Sequence, residues 1–312
     1  MNYYSNGKLL ITGEYVVLDG ALSLAVPTTY GQSLSIESFD EQKLIWKSLD
    51  DNRNLWLDDT FSIEEIASVF TKPRNDVEKR LIQILNAAKQ LNSQFLNLGK
   101  GFKVTTKLDF PKNWGLGTSS TLINNIANWA NVDAYKLLEL TFGGSGYDIA
   151  CAKNDSAITY QLELNNEIYN STGNGEKRLI TPVDFNPVFK DHLYFVHLNK
   201  KQNSREGIAQ YKLNTSNLAG LISEINTITS AMISCKYLPD FNRLIETHES
   251  IIGSIIKQQP IKKLLFSDFD GAIKSLGAWG GDFVLVSALT NPKAYFEGNG
   301  YNTIIPYKEM VL

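Results

Sequence analysis

The stretch PKNWGLGTSSTLINN, residues Pro111–Asn125, decides the fold prediction because it joins a strand pattern to a helix pattern through two glycines and a run of hydroxyl residues. A glycine-rich loop that opens a helix leaves main-chain N–H groups pointing outward, and the helix dipole adds positive charge there. Such a loop binds anions, typically phosphate. The alternative is a tight turn in which Ser and Thr cap the helix.

The segments on both sides support this reading. Before the loop, apolar or Thr side chains alternate with polar ones, which predicts a half-buried strand: Phe102, Val104, Thr106, Leu108 and Phe110. After it, apolar residues recur at helical spacing: Leu122, Ile123, Ile126, Ala127 and Ala130.

The remaining patterns mix strands and helices. The N-terminal segments KLLITGEYVVL, LSLAVPT and GQSLSIE predict a β-meander, and a helix begins behind an Asn or Asp cap at Asn75. Later helices are predicted over 216–234, 240–257 and 261–275, followed by a glycine turn that feeds a strand. Regular βαβ alternation is missing from this order, so the fold class is α+β. A chain of 312 residues suggests two domains, placed at 1–180 and 181–312.

The composition and net charge limit the classes of function that the chain could have. Hydrophobic residues make up 43% of the chain and charged residues 20%, as in a globular protein, and a net charge of -3 gives no footprint for nucleic acid or an anionic membrane. The two cysteines are too few for a disulfide framework or a zinc cluster, and no apolar run reaches the roughly 20 residues that span a bilayer. We expect a cytoplasmic protein, monomer or homodimer, with a small-molecule ligand.

Common phosphate-binding patterns do not fit the loop. The P-loop spacing is absent, GLGTSS lacks the third glycine of the dinucleotide fingerprint, and the protein-kinase signature set is missing. A nucleotide would therefore be held by another architecture.

Three segments together resemble the motifs of the GHMP kinases, the family of galactokinase, homoserine kinase, mevalonate kinase and phosphomevalonate kinase. They are GKLLITGEYVVLDGALSLAVP near the start, PKNWGLGTSS with the later GGSGYDIA, and KSLGAWGGDFVLV near the end. The resemblance covers nearly the whole chain and is strongest to the mevalonate and phosphomevalonate kinase branch. It implies a two-domain α+β fold, with an N-terminal half like the second domain of ribosomal protein S5 and a ferredoxin-like C-terminal half.

The resemblance also implies ATP as the phosphoryl donor and Mg²⁺ as its metal. ATP would be bound by the glycine loop: Gly115, Leu116, Gly117, Thr118, Ser119 and Ser120. When GLGTSS is aligned with the corresponding loop of the family, Ser119 matches the hydroxyl that coordinates magnesium, and Glu14 of TGEY matches the carboxylate that coordinates the same ion. One hydroxyl, one carboxylate, phosphates and waters would suit this hard cation.

The catalytic residues implied by the resemblance are Asp148 and Lys8. Asp148 of SGYD matches the aspartate that orients or deprotonates the acceptor hydroxyl. Lys8 of NGKLL matches the lysine whose charge stabilises the acceptor oxygen and the transferred phosphoryl group. Taken singly, an Asp after Gly-Tyr is usually a turn residue and a Lys on a strand a solvated charge.

The third motif departs from the family pattern, because GAWGGD carries Trp279 at a position that is normally glycine. Trp does not easily adopt a positive φ. Either the turn follows a different path, or the indole forms part of the acceptor pocket. Residues of the matching motifs and of the basic segment LNKKQNSREGI are candidates for acceptor binding: Ser145, Gly146, Ser204, Arg205, Gly277, Gly280 and Gly281.

Among acceptors, the ending Gly-Gly-Asp and the plain GSGYD resemble phosphomevalonate kinase more than mevalonate kinase. Lys200, Lys201 and Arg205 offer the cations that a phosphorylated acceptor needs, although such a cluster is more often a solvated loop. Mevalonate kinase and a kinase of sugars or other small alcohols are the alternatives. A nucleotide-binding regulator without catalysis is the alternative from another class.

Overall fold

The computed structural model describes residues 1–63, 66, 75–96, 99–163, 177–201, 204–213 and 218–312. Strands and helices are mixed along the chain, which confirms the α+β class. None of the described helices is both long and apolar enough to cross a bilayer. The chain forms two compact units, which are here called unit one (residues 1–7, 30–112 and 116–153) and unit two (residues 8–29, 113–115 and 154–312).

The chain passes between the units several times, so they do not test a single boundary. The division predicted at residue 180 stays a prediction.

The strands are β1 Asn2–Leu10, β2 Ser23–Phe39, β3 Lys43–Leu49, β4 Leu55–Ser62, β5 Gly101–Leu108, β6 Ile158–Glu163, β7 Lys177–Pro182, β8 Leu193–His197, β9 Ala272–Ser275, β10 Phe283–Ser287 and β11 Ile304–Pro306. The helices are α1 Asp76–Leu91, α2 Thr118–Ala130, α3 Ala134–Thr141, α4 Tyr147–Lys153, α5 Ser204–Lys212, α6 Leu218–Ser234, α7 Leu238–Ile256, α8 Ile261–Leu265, α9 Lys293–Gly298 and α10 Tyr307–Met310.

Unit one is a sheet with helices on its apolar face. The strands lie in the order β4-β3-β5-β2, with β3 parallel to β5 and the other two pairings antiparallel. The predicted inward residues of β5 are buried, and two of them, Phe102 and Val104, join a buried cluster that includes residues of α1, α2 and α3. Asn75 caps α1 as predicted, because its side chain accepts a hydrogen bond from the main-chain N–H of Glu78.

Unit two contains a four-stranded antiparallel sheet in the order β11-β8-β10-β9. The first residues of β2 pair with β6, which in turn pairs with β7. The helices α6 and α7 contact each other, and α7 also contacts β9. One apolar cluster lies around β8 and β10, and another includes residues of α5, α6 and α7.

Two predictions of secondary structure are wrong. The N-terminal meander is instead β1, a 3₁₀ turn at Val16–Asp19 and one long strand, β2, because the segment after Leu10 turns its side chains into the interior of unit two. The helix predicted over 261–275 ends at Leu265, and Ala272–Ser275 form β9. All four residues of β9 are buried, so the strand shows no polar alternation.

A ladder of buried polar side chains holds α2 in unit one. Asn125 accepts a hydrogen bond from the Ser5 hydroxyl at 2.8 Å and donates one to the main-chain oxygen of Gln32 at 2.9 Å. Asn124 donates to the same Ser5 hydroxyl at 2.9 Å. The apolar stripe predicted for α2 did not include these residues. Directional bonds to β1 and β2 therefore fix this helix in addition to apolar packing.

Replacing Asn125 by Ala leaves the Ser5 hydroxyl and the Gln32 carbonyl without this partner inside the protein. We expect N125A to lower the free energy of unfolding by about 1–3 kcal/mol. Chemical denaturation measures this value. The matched control is N128A on the exposed side of the same helix, which should change stability by less than about 0.5 kcal/mol. Equal effects of the two substitutions would contradict a role for the ladder.

Candidate active site

The glycine loop, Gly115–Ser120, leads directly into α2. Gly117 is the N-cap residue with φ 96°, and as a glycine it supplies no side-chain cap to this helix end. The first turn contains no acidic residue either. The first main-chain N–H groups of a helix have no partners within the helix itself, and the dipole is positive at this end. The loop therefore has the geometry of an anion site.

The hydroxyl groups of the loop point in different directions. Ser119 is exposed, whereas Ser120 is buried and donates to the main-chain oxygen of Gly117 at 2.9 Å. The next residue, Thr121, donates to the side-chain oxygen of Gln32 at 2.7 Å. Leu116 is fully buried and anchors the loop in the core. Ser119 is thus the loop serine whose hydroxyl is open to a ligand.

Two side chains of unit two contact the first glycine of the loop. The ammonium of Lys8 donates to the main-chain oxygen of Gly115 at 2.8 Å. On the other side, the Asp282 carboxylate lies so close that a Cβ on Gly115 would be 2.4 Å from it. Gly115 also has φ 69°, a conformation that side chains disfavour. The close approach of Asp282 and the positive φ both require a residue without a side chain at position 115.

Asp148 is the second residue of α4 in unit one. Its side chain is half-buried, and one carboxylate oxygen accepts a hydrogen bond from the main-chain N–H of Ile149 at 3.0 Å. The first turn of a helix favours a carboxylate electrostatically. Ser145 and Gly146, which precede this helix, are both buried, and Gly146 has φ 88°.

Glu14 has surroundings unlike those of an exposed metal ligand. Its side chain is fully buried in unit two and forms an ion pair with the equally buried Lys274, whose ammonium donates to Glu14 Oε1. The other oxygen, Oε2, lies 3.4 Å from Nε2 of His248. Burial raises the pKa of Glu14 to about 7, and the Lys274 charge opposes this rise.

A second buried carboxylate completes the polar cluster Glu14–Lys274–Glu249–His248. Glu249 lies 3.5 Å from the Lys274 ammonium and accepts hydrogen bonds from the main-chain N–H and the hydroxyl of Ser275, both at 3.0 Å. His248 Nε2 accepts a hydrogen bond from the main-chain N–H of Gly13 at 3.1 Å. Burial, and then the Lys274 charge, lower the pKa of His248 well below its usual value, so the imidazole is neutral.

These contacts decide how far the predicted magnesium ligands fit the metal. Ser119 fits, because it presents an exposed hydroxyl at the start of α2. Glu14 does not fit, because Lys274 occupies one oxygen and the carboxylate has no exposed surface. Among the described residues, no group of three His, Cys, Asp or Glu side chains could hold a metal ion.

The main chain is strained between Glu14 and Val16. Tyr15 has φ 66° and ψ −51°, and the Val16 N–H donates to the Glu14 carbonyl at 2.8 Å, which closes a three-residue γ-turn. A positive φ at a bulky residue is an outlier that costs about 1–3 kcal/mol. Tyr15 is held in place by its ring, which stacks on Tyr211 with centroids 6.2 Å apart. Its hydroxyl accepts a hydrogen bond from the main-chain N–H of Trp279 at 3.2 Å.

Trp279 lies in the core of unit two. Its side chain is 2% exposed and packs in the apolar cluster that contains Tyr15, Tyr211 and Ile252. The positive φ values of the third-motif turn, defined as Gly277–Asp282, fall on Gly277, Gly280 and Asp282 rather than on Trp279. The turn therefore accommodates the indole without strain at that residue. Because the ring is buried in the core, we do not propose the indole as part of an acceptor pocket.

The other acceptor candidates lie in several places. Gly281 is buried in the third-motif turn next to Gly280. Ser204 and Arg205 are the first residues of α5, and their side chains lie outside the described part of the chain. Asp282 and Lys274 were missed by the sequence reasoning. The close packing of Asp282 on Gly115 joins residues 167 positions apart, and Lys274 was placed in a predicted helix.

Comparison with solved structures identifies the fold, whereas no family model and no curated protein sequence matches the chain. The mevalonate kinase of Methanococcus jannaschii superimposes with a TM-score of 0.66 at 17% identity, covering 98% of this chain and 96% of that one. Streptococcus pneumoniae phosphomevalonate kinase, in complex with phosphomevalonate and AMPPNP, gives 0.67 at 16% identity, covering 96% and 95%. Lactococcus lactis galactokinase complexed with galactose gives 0.68 at 13% identity, covering 98% and 93%.

The chain therefore has the fold of the GHMP kinases over nearly its whole length, as the sequence motifs predicted. These structures have similar scores although their names specify different acceptors. The shared fold therefore does not specify the acceptor.

The buried cluster predicts a large effect of Lys274 on stability. K274M removes the positive charge between two buried carboxylates, and we expect the free energy of unfolding to fall by about 3–5 kcal/mol. The matched control is K293M, because Lys293 lies on the surface 3.7 Å from Glu297. Loss of that exposed pair should cost less than about 1 kcal/mol. Urea denaturation of both variants at neutral pH measures the difference, and a small effect of K274M would contradict the assigned ion pair.

Proposed function

We propose that the protein is an ATP-dependent kinase that transfers the γ-phosphoryl group to a hydroxyl of a small molecule. The observation that carries this proposal is the uncapped start of α2, with an exposed Ser119 and no acidic residue in its first turn. A phosphate group supplies the anion that such a helix end favours. The fold supports the same reaction class, since the similar structures are kinases of small molecules.

In this proposal the glycine loop binds the polyphosphate of ATP through its main-chain N–H groups. Lys8 adds a positive charge at the first glycine of the loop. Ser119 would contribute a ligand to magnesium, and the phosphates and waters would supply the other ligands. Bound magnesium would neutralise negative charge on the phosphates during transfer. Glu14 is left out of this ligand set.

Asp148 and Lys8 are proposed to act on the acceptor. Asp148 accepts the proton of the acceptor hydroxyl or orients that hydroxyl for attack. Lys8 stabilises negative charge on the acceptor oxygen and on the transferred phosphoryl group. The acceptor oxygen forms a bond to the γ-phosphorus as the bond from phosphorus to the β-phosphate oxygen breaks, which leaves ADP.

The preferred acceptor is phosphomevalonate. The main-chain N–H of Asp282 donates to the carbonyl of Lys200 at 2.7 Å, so the segment that carries Lys200 and Lys201 lies against the third-motif turn. Cations near the turn would suit an acceptor that already carries a phosphate. The Streptococcus pneumoniae structure with phosphomevalonate and AMPPNP bound has the same fold. Mevalonate and sugars are the alternatives that the assay must include.

The deciding experiment is a coupled assay of ADP release with phosphomevalonate, mevalonate, galactose and other sugars, each with ATP and magnesium. We expect phosphomevalonate to give the highest kcat/KM. D148N should lower kcat by about 10²-fold or more while ATP affinity stays within a factor of two, because the substitution removes the base with little change of shape. Binding of ATP without transfer to any acceptor in the panel would favour the non-catalytic regulator. Full turnover by D148N would contradict the role of Asp148.

Gly115→Ala tests the nucleotide site. The added methyl group meets the Asp282 carboxylate and must also accept a positive φ, so the loop has to shift. We expect the dissociation constant of an ATP analogue, measured by calorimetry, to rise by at least about tenfold. Gly143→Ala is the control, because Gly143 has φ 64° and a methyl group added there would meet nothing within 4 Å. Gly143→Ala therefore introduces only the strain of a side chain at positive φ. An equal loss of affinity for the ATP analogue in both variants would contradict the proposed site.

A further inference from the structure

The strained Tyr15 is linked to the glycine loop by a chain of contacts within unit two. Its hydroxyl accepts a hydrogen bond from the main-chain N–H of Trp279, inside the third-motif turn. The same turn ends at Asp282, whose carboxylate packs on Gly115. The carbonyl of Gly115 accepts from the Lys8 ammonium. Tyr15 is thus three contacts from a proposed catalytic group without touching it.

The residues around Tyr15 fix the position of its hydroxyl. A Cβ on Gly207 would lie 2.3 Å from the Tyr15 hydroxyl oxygen, so α5 packs directly against it. Tyr211, one turn further along α5, stacks on the Tyr15 ring and donates its own hydroxyl to Asp19 at 2.5 Å. On the main-chain side, Glu14 is tied to Lys274 in the buried cluster. A strained residue persists where its surroundings determine it this fully, and such residues concentrate at functional sites.

The hydrogen bond from the Trp279 N–H to the Tyr15 hydroxyl restrains the third-motif turn because Trp279 is itself held in the core. Its indole is buried in the apolar cluster that also contains the Tyr15 ring, while its main-chain N–H donates to the Tyr15 hydroxyl, so both the side chain and the main chain of this residue are held. The glycines at 277 and 280 have positive φ, and a Cβ added to either would meet no atom within 4 Å. Gly277 and Gly280 therefore contribute little packing that could hold the turn in place. The Tyr15–Trp279 contact therefore fixes the middle of the turn, while Asp282 at its end donates its main-chain N–H to the Lys200 carbonyl at 2.7 Å.

We propose that Tyr15 is a positioning residue of the active site, whose hydroxyl sets the path of the third-motif turn and thereby the placement of Asp282 against Gly115. This proposal rests on the proposed kinase function for its kinetic consequence. Its structural part, the control of the turn by one hydroxyl, does not depend on the identity of the acceptor.

The test compares Y15F with Y211F, because each removes one hydroxyl from the same stacked pair. Y15F leaves the buried N–H of Trp279 without its acceptor, whereas Y211F keeps the ring that stacks on Tyr15 and removes only the hydrogen bond to Asp19, which lies outside the turn. Hydrogen exchange followed by mass spectrometry reports the Trp279 amide. We expect exchange there to accelerate at least about tenfold in Y15F and less than about twofold in Y211F. Equal protection in wild type and Y15F would overturn the proposal.

The kinetic arm uses a double-mutant cycle with D282N. If Tyr15 acts through Asp282, Y15F and D282N each lower kcat/KM, and the double variant loses little more than the more damaged single variant. Y211F should keep kcat/KM within about twofold, and its effect should multiply with that of D282N. Multiplicative effects of Y15F and D282N would overturn the positioning role. If wild type transfers phosphate to no acceptor, the proposed function fails, while the exchange experiment still decides whether Tyr15 controls the turn.

Discussion

A helix whose first turn is left uncapped is the constraint on which the site depends. The N-cap residue of α2 is Gly117, which has no side chain to cap the helix, although a side-chain cap usually stabilises a helix by about 1 kcal/mol. Unit one holds the helix from its flank instead, through the bonds of Asn125 to β1 and β2 and through Thr121 to Gln32. The main-chain N–H groups can then remain available to an anion without loss of the helix position.

In unit two, buried charged groups likewise hold a segment in place. Glu14 and Lys274 are removed from water, and the cost of burying them is offset by their mutual attraction and by the hydrogen bond that the Lys274 ammonium donates to the Ser275 carbonyl at 2.7 Å. This cluster fixes the segment that follows Lys8. At the γ-turn that follows, the Tyr15 hydroxyl accepts a hydrogen bond from Trp279 in the third-motif turn. Buried polar groups, rather than apolar packing alone, determine where the motif residues lie.

The parts of this structure that sequence predicts are those with a local cause. The half-buried β5, the Asn75 cap of α1 and the glycine loop before α2 each follow from periodicity or from the chemistry of a few adjacent residues. The motifs together also predicted the GHMP kinase fold. The features that local patterns did not show depend on distant partners. Glu14 was implied as a magnesium ligand, and its burial beside Lys274 is visible only in the folded chain. Residues of β9 were predicted as part of a helix because all of them are buried and show no alternation.

The pairing of Glu14 with Lys274 has a consequence for biosynthesis, because the two residues are 260 positions apart in the chain. Translation proceeds at about 5–20 residues per second, so Glu14 is synthesised roughly 13–50 s before its partner. During that interval the acid must stay hydrated, and the segment around it cannot take up its buried position. Unit two therefore reaches its native core late, after the ribosome has passed β9.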